Sequence, residues 1–186
     1  MPDSRLDEAL VRLKDYIETF KVGAAADPEV QIGPMVSQKQ WERVQSYIRL
    51  GVDEGAALLT GGEGRPDGLE CGWFVRPTVF TQVTNQMRIA REEIFGPVLC
   101  VIPYGNEAEA IAIANDTSYG LQAYVLSPDV DHAKQVAAQL QAERVVINGA
   151  PHEPLAPFGG FKQSGIGREY GTFGLDAFLE PRAVLS

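Results

Sequence analysis

Few residues of this 186-residue chain are of a type and spacing that suits chemistry, and most of those lie in one stretch. Arg91-Glu92-Glu93-Ile94-Phe95-Gly96-Pro97-Val98 places two carboxylates and an aromatic ring in a turn that leads into the apolar run Leu99-Cys100-Val101-Ile102. A carboxylate beside a buried strand costs free energy unless something pairs with it, so such a turn is either held by local hydrogen bonds or shaped to receive a ligand. The other reactive types are scattered. Cys71 and Cys100 have no CxxC spacing, and His132 and His152 are isolated, so neither a zinc site nor a disulfide framework is suggested, and no metal ligand set is expected. Cys100 sits inside the apolar run, where burial keeps a thiol protonated, and Cys71 follows Glu70, whose charge also disfavours a thiolate. Neither thiol is therefore expected to act as a nucleophile.

The elements that must position the acidic turn can be read from periodicity. Leu6, Leu10, Leu13, Ile17 and Phe20 recur at helical spacing after Ser4, and predict a helix from about Arg5 to Val22. Ser37 with Gln40 forms a capping box ahead of a second helix whose apolar face is Trp41, Val44, Ile48 and Val52. Ala56 to Leu59 suits a buried strand. Trp73–Val75 and Thr78–Phe80 flank Pro77, which cannot donate to a ladder, so their strand is expected at an edge or bulged. A helical turn near Met87 to Ala90 then precedes the acidic turn and a strand from Leu99 to Tyr104.

Beyond Tyr104, helices and strands alternate. A helix capped by Asn106, a strand from Leu121 to Leu126, a helix opened by Pro128-Asp129 and a strand at Val145–Ile147 imply parallel neighbours covered by helices. The expected fold class is α/β, a three-layer αβα arrangement with a mostly parallel sheet. Ligands on such sheets gather at the carboxyl ends of strands, and Asn148 occupies one. Repeated glycines mark the tail, where 168–178 could still form a helix and Ala183-Val184-Leu185 reads as a strand that must pair with its own sheet or another subunit's.

Composition narrows the function classes. At 45% hydrophobic and 22% charged, the chain has an ordinary globular make-up, and one core is the default. A net charge of -9 without a basic cluster argues against nucleic acid. No apolar run reaches membrane-spanning length, and the first residues lack a signal-like pattern, so a cytoplasmic protein is expected. Gly61-Gly62-Glu63-Gly64 is no phosphate loop, since Glu63 would repel a pyrophosphate and no apolar helix follows.

Taken together, Glu92 through Val98, Asn115 through Leu121, Val146-Ile147-Asn148 and Pro157 through Glu169 resemble, in order and spacing, the NAD(P)-dependent aldehyde dehydrogenase superfamily. The resemblance covers the C-terminal part of such an enzyme: residues 1–164 as a partial catalytic domain and 165–186 as a C-terminal helix and oligomerisation strand. It implies oxidation of an aldehyde to an acid with NAD or NADP in the full-length enzyme. The cysteine nucleophile, the glutamate base and the dinucleotide-binding domain would lie outside these 186 residues, so the isolated chain is expected to be inactive, to bind no coenzyme and to self-associate as a homo-oligomer. By position in the motifs, Glu93 corresponds to the carboxylate that accepts from the nicotinamide ribose hydroxyls, which a diol with two donors suits. Phe95 corresponds to the ring beside the nicotinamide, or else fills the core at the strand entrance. Gln40 and Arg43 match positions facing the adenine-side ribose, with the helix cap as the alternative for Gln40 and a solvated face for Arg43. Phe158 resembles a wall of the substrate tunnel or a ring pinning the Gly159-Gly160 turn; Asn148 lines the same opening or caps the strand. A rival reading is a stand-alone, non-enzymatic assembly module that associates through its C-terminal strand.

Overall fold

The computed structural model describes residues 1–185, which form an α/β fold divided into two compact units, Met1–Glu107 and Ala108–Ser186. The 164/165 boundary read from the sequence falls inside the second of these.

In the first unit a 3-10 turn (Asp3–Arg5) leads into helix α1 (Leu6–Ile17), followed by α2 (Gln38–Asp53), β1 (Ala57–Thr60), β2 (Thr78–Thr81), α3 (Arg88–Arg91) and β3 (Val98–Cys100). The first helix is shorter than its periodicity suggests. Thr19 and Phe20 donate backbone N–H groups to Tyr16 and Ile17, three residues back, which tightens and ends the last turn. Val22, in the expected helix, instead bridges Ile32. Ser4 lies within the 3-10 turn, and α1 starts without a side-chain cap.

The second helix begins where its capping signal places it. Ser37 is extended, and its hydroxyl accepts from the Gln40 N–H at 3.3 Å. Its inner face, Val44, Tyr47 and Ile48, packs with Phe80, Val75 and Ile94 into the core of the unit. The helix approaches closely at Gly51, where an added Cβ would lie 2.8 Å from Phe80 Cζ.

The strands are ordered β1-β2-β3, with β1/β2 antiparallel and β2/β3 parallel. The expectation of an edge position for the Pro77 strand is overturned: β2 is central and buried at every residue. Pro77 immediately precedes the strand, so its missing N–H falls outside the ladder. A register shift between Leu58 and Thr60 supplies the irregularity on the β1 side. β1 is itself an edge strand, with Leu58 45% exposed, not the buried strand expected.

In the second unit α4 (Glu107–Asn115) precedes β4 (Tyr119–Gly120), β5 (Gln122–Val125), α5 (Val130–Ala137), β6 (Arg144–Ile147), β7 (Phe158–Gly159), β8 (Phe161–Lys162), β9 (Arg168–Glu169) and α6 (Gly171–Asp176). β5 and β6 pair in parallel, joined through α5, which Asp129 caps by accepting from the His132 N–H at 3.0 Å. This is the crossover unit the alternation predicts. Short antiparallel pairs join β4 to β8 and β7 to β9. Two of the motifs meet here: Lys162 Nζ donates to the carbonyls of Asn115 (2.7 Å) and Thr117 (3.1 Å), and Ser164 Oγ accepts from the Gly120 N–H at 3.0 Å.

The helix read at 168–178 is shorter than expected. Arg168 and Glu169 form a strand instead of a helical start, leaving a six-residue helix. Ala183–Leu185 joins no sheet among the described residues, with Val184 85% and Leu185 94% exposed. No helix of the described residues is long and apolar enough to cross a membrane.

Candidate functional site

The acidic turn of the first unit is clamped onto α2. Phe95 adopts a left-handed backbone conformation (φ 59°), unusual for a ring-bearing residue, and Gly96 follows it against Val44. Polar groups of α2 hold this strained turn. Gln40 Nε2 donates to the carbonyls of Ile94 (3.1 Å) and Phe95 (2.8 Å), and Arg43 Nη2 donates to that of Glu93 (2.7 Å). Three successive carbonyls thus receive side-chain donors spaced one helical turn apart. All four residues read as coenzyme-side candidates therefore meet in one cluster.

Their roles differ. The Gln40 amide is not occupied by the helix cap, which uses its backbone N–H; both amide hydrogens serve the turn. Arg43 does not lie idle on a solvated face, because it also donates to Tyr47 Oη at 3.2 Å and lies over that ring. Phe95 does not fill the core: its ring is 71% exposed. The Glu93 carboxylate is exposed and makes no hydrogen bond or ion pair among the described residues. A concavity of 380 Å³ opens beside both, floored by Ile89, Ile94, Val98 and Ile102.

Glu92, one of the two carboxylates of the turn, was given no role of its own from the sequence, and Tyr47 was not singled out, yet the two tie the turn to the helix. Tyr47 Oη donates to Glu92 Oε2 at 2.5 Å, and Arg88 donates to the same carboxylate through Nε (2.8 Å) and Nη2 (3.1 Å). The signal was present in the spacing of Arg43 to Tyr47 and Arg88 to Glu92, four residues each. The Arg88 guanidinium, and after it the Tyr47 hydroxyl, hold the Glu92 carboxyl down to about 2 from an ordinary 4.5. The same bond raises the Tyr47 hydroxyl.

A folded-state pKa below the unfolded one contributes stability that is complete above about pH 4.5 and lost as the pH falls towards 2. Glu92→Gln should therefore lower stability at neutral pH by about 1 kcal/mol, since the 39% exposed side chain is screened by solvent. The parent's stability advantage over the variant should shrink between pH 4.5 and 2. Denaturant titrations across that range measure it; a difference that stays constant with pH would refute the assignment.

The substrate-side candidates belong to the second unit and do not share an opening. Phe158 lines an 800 Å³ groove with Leu121, Arg168, Leu175 and Phe178, and its ring tilts against Tyr170 with centroids 6.1 Å apart. Asn148 is fully engaged with Ser127, accepting from its N–H (2.9 Å) and donating to its carbonyl (2.7 Å). This side-chain amide imitates one more backbone rung after the β5/β6 ladder, which is the strand-capping alternative.

The Cys100 thiol is not poised for attack. Burial pushes the Cys100 thiol up to about 11, and its Sγ donates to the Ile89 carbonyl at 3.5 Å, while Cys71 is free and exposed in a loop.

A 3-succinoylsemialdehyde-pyridine dehydrogenase from Pseudomonas sp is 52% identical over 185 residues, 100% of this chain but 39% of the relative. The chain thus spans about 39% of the length of the curated relatives it matches. Among solved structures, a variant of aldehyde dehydrogenase C from Pseudomonas syringae with NAD+ and octanal superposes with a TM-score of 0.94 at 47% identity, covering 96% of this chain and 37% of that one. A Mycobacterium tuberculosis aldehyde dehydrogenase complexed with NAD+ gives 0.92 at 48% identity, covering 95% and 36%. With the sequence model of the aldehyde dehydrogenase family matching residues 1–184, the chain belongs to that family.

Proposed function

We propose that these residues are part of the catalytic domain of an NAD(P)-dependent aldehyde dehydrogenase, with the Glu93–Phe95 turn receiving the nicotinamide ribose. The observation that carries this is an exposed, unpartnered Glu93 carboxylate beside an open concavity, on a turn whose carbonyls are all held from behind. An ionised carboxylate offers acceptors only, which fits a vicinal diol. Phe95, held outward by its left-handed backbone, offers a flat apolar face to the nicotinamide ring. Gln40 and Arg43 act from behind the turn, keeping Glu93 and Phe95 in place. The coenzyme supplies the hydride acceptor when bound. Phe158 forms a wall of the aldehyde channel, and Asn148 closes the β5/β6 strand end through Ser127.

The 186-residue chain alone is inactive in this reading, because the Cys100 thiol beside the turn is buried and held protonated, and Cys71 does not line the concavity next to Glu93 and Phe95. A dehydrogenase assay on the purified chain with several aldehydes and both NAD+ and NADP+ should give no turnover. The positive test replaces the matching segment of the Pseudomonas relative with this chain. That chimera should oxidise aldehydes, and Glu93→Gln within it should cut kcat/KM for the coenzyme about 10- to 100-fold, the worth of hydrogen bonds to a charged acceptor. Turnover by the isolated chain, or a chimera indifferent to Glu93→Gln, would overturn the reading.

A further inference from the structure

We propose that a second site, in the cavity between β6 and the 149–156 loop, binds a carboxylate carried on a short apolar body, with Arg144 as its counter-ion. The cavity measures 510 Å³, and Tyr124, Val146, Ala150 and Ala156 give it largely apolar walls beside Arg144 and His152. That size suits a small organic molecule. Its residues all belong to the second unit and those of the coenzyme turn to the first, so its test does not depend on Glu93 or Phe95.

Arg144 is a cation without its anion. It forms no ion pair among the described residues; Nη1 donates to His152 Nδ1 at 3.2 Å, and the enclosed Nη2 has no acceptor at all. Its guanidinium carbon lies 4.6 Å from the Phe158 ring centroid, which holds the charge by its apolar side while leaving hydrogen-bonding capacity unmet. Glu153 also lines the cavity, but neither it nor Glu143 pairs with Arg144 among the described residues. Glu153 Oε1 accepts from the Leu155 N–H at 2.8 Å, and Glu143 Oε2 accepts from the Gly159 N–H at 3.2 Å. Leaving a buried charged donor unpaired is unfavourable, so the site favours an entering acceptor.

The chemistry of that acceptor follows from the donors. A planar guanidinium matches a carboxylate through two parallel hydrogen bonds. A guanidinium can only donate, so His152 Nδ1 is the acceptor in this contact. An entering carboxylate replaces His152 as the acceptor on Nη1, and a small rotation of the guanidinium lets it pair with Nη2. The loop can accommodate this exchange: residues 149–155 are all exposed, and Gly149 has a left-handed backbone (φ 69°). The apolar walls then take the rest of the molecule, which distinguishes the expected ligand from a small inorganic anion.

The test uses the 186-residue chain, with sodium hexanoate as the probe and 1-hexanol as its neutral counterpart, at fixed ionic strength. Hexanoate should shift the Arg144 Nε–H resonance and the His152 ring resonances in a saturable way, and hexanol should not. Arg144→Met should abolish the response while keeping a dispersed folded spectrum. Should Arg144→Met fail to fold, Arg144→Lys retains the charge but loses the fork, and should weaken hexanoate binding about tenfold. Absence of a saturable shift, an equal response to hexanol, or undiminished binding by Arg144→Lys would overturn the proposal, including in favour of an acceptor supplied by a segment of a longer protein.

Discussion

Phe80→Ala should lower the unfolding free energy of the first unit by about 3–5 kcal/mol, the usual cost of emptying a fully buried aromatic position. Phe80 is 0% exposed in the middle of the central strand, and α2 lies so near at Gly51 that no side chain fits there. Removing the ring opens a void that neither the strand ladder nor the helix can close without moving. The functional consequence runs through α2, because that helix carries the Gln40 and Arg43 donors that hold the acidic turn. The measurement is convenient. The protein's two tryptophans, Trp41 and Trp73, both lie in the first unit with ring centroids 6.3 Å apart, so tryptophan fluorescence in a denaturant titration reports on that unit. Phe95→Ala is the contrasting case: its 71% exposed ring should contribute within about 0.5 kcal/mol. Equal losses from the two substitutions would mean that Phe95 is a packing residue, and would remove the ground for calling its ring a ligand surface.

Local chemistry was legible in the sequence, and position within the sheet was not. The Ser37 cap and the helix start at Asp129 could be read because each uses atoms within three residues of itself. The parallel β5/β6 pair followed from strand-helix-strand alternation. Pro77 misled because its effect on a ladder depends on whether it lies inside the strand or one residue before it, a boundary no local pattern resolves. Gln40 and Arg43 were recognised as belonging to the site through the motif they resemble. Their use of backbone carbonyls 50 to 55 residues away was invisible, since such bonds leave no spacing signature. Arg144 escaped notice for a related reason: a cation is unpaired when no neighbouring carboxylate bonds to it, and only the fold shows which ones do.

Gly96→Ala should destabilise the first unit by about 1–3 kcal/mol, the range for forcing an extra methyl into packed surroundings. The obstacle is space alone, because Gly96 has no left-handed backbone to protect. A Cβ there would lie 2.5 Å from Val44 Cγ2 and 3.0 Å from Cγ1, and Val44 is 0% exposed in the body of α2 with no free direction in which to yield. The turn must therefore lift, and it lifts away from the groups that hold it. The 2.8 Å bond from Gln40 to the Phe95 carbonyl is the nearest to the strain and should break first, followed by the 2.7 Å bond from Arg43 to the Glu93 carbonyl. Faster exchange of the Gln40 side-chain amide protons would report the first of these losses. Gly167→Ala provides the control, since a Cβ there meets nothing within 4 Å and its stability effect should be close to zero. In the chimeric enzyme, Gly96→Ala should weaken coenzyme use even though the Glu93 carboxylate is chemically unchanged, because the turn that aims it has moved. If stability fell as expected while coenzyme kinetics stayed at the parent value, Glu93 would not depend on the α2 clamp for its placement, and the roles assigned to Gln40 and Arg43 would be wrong.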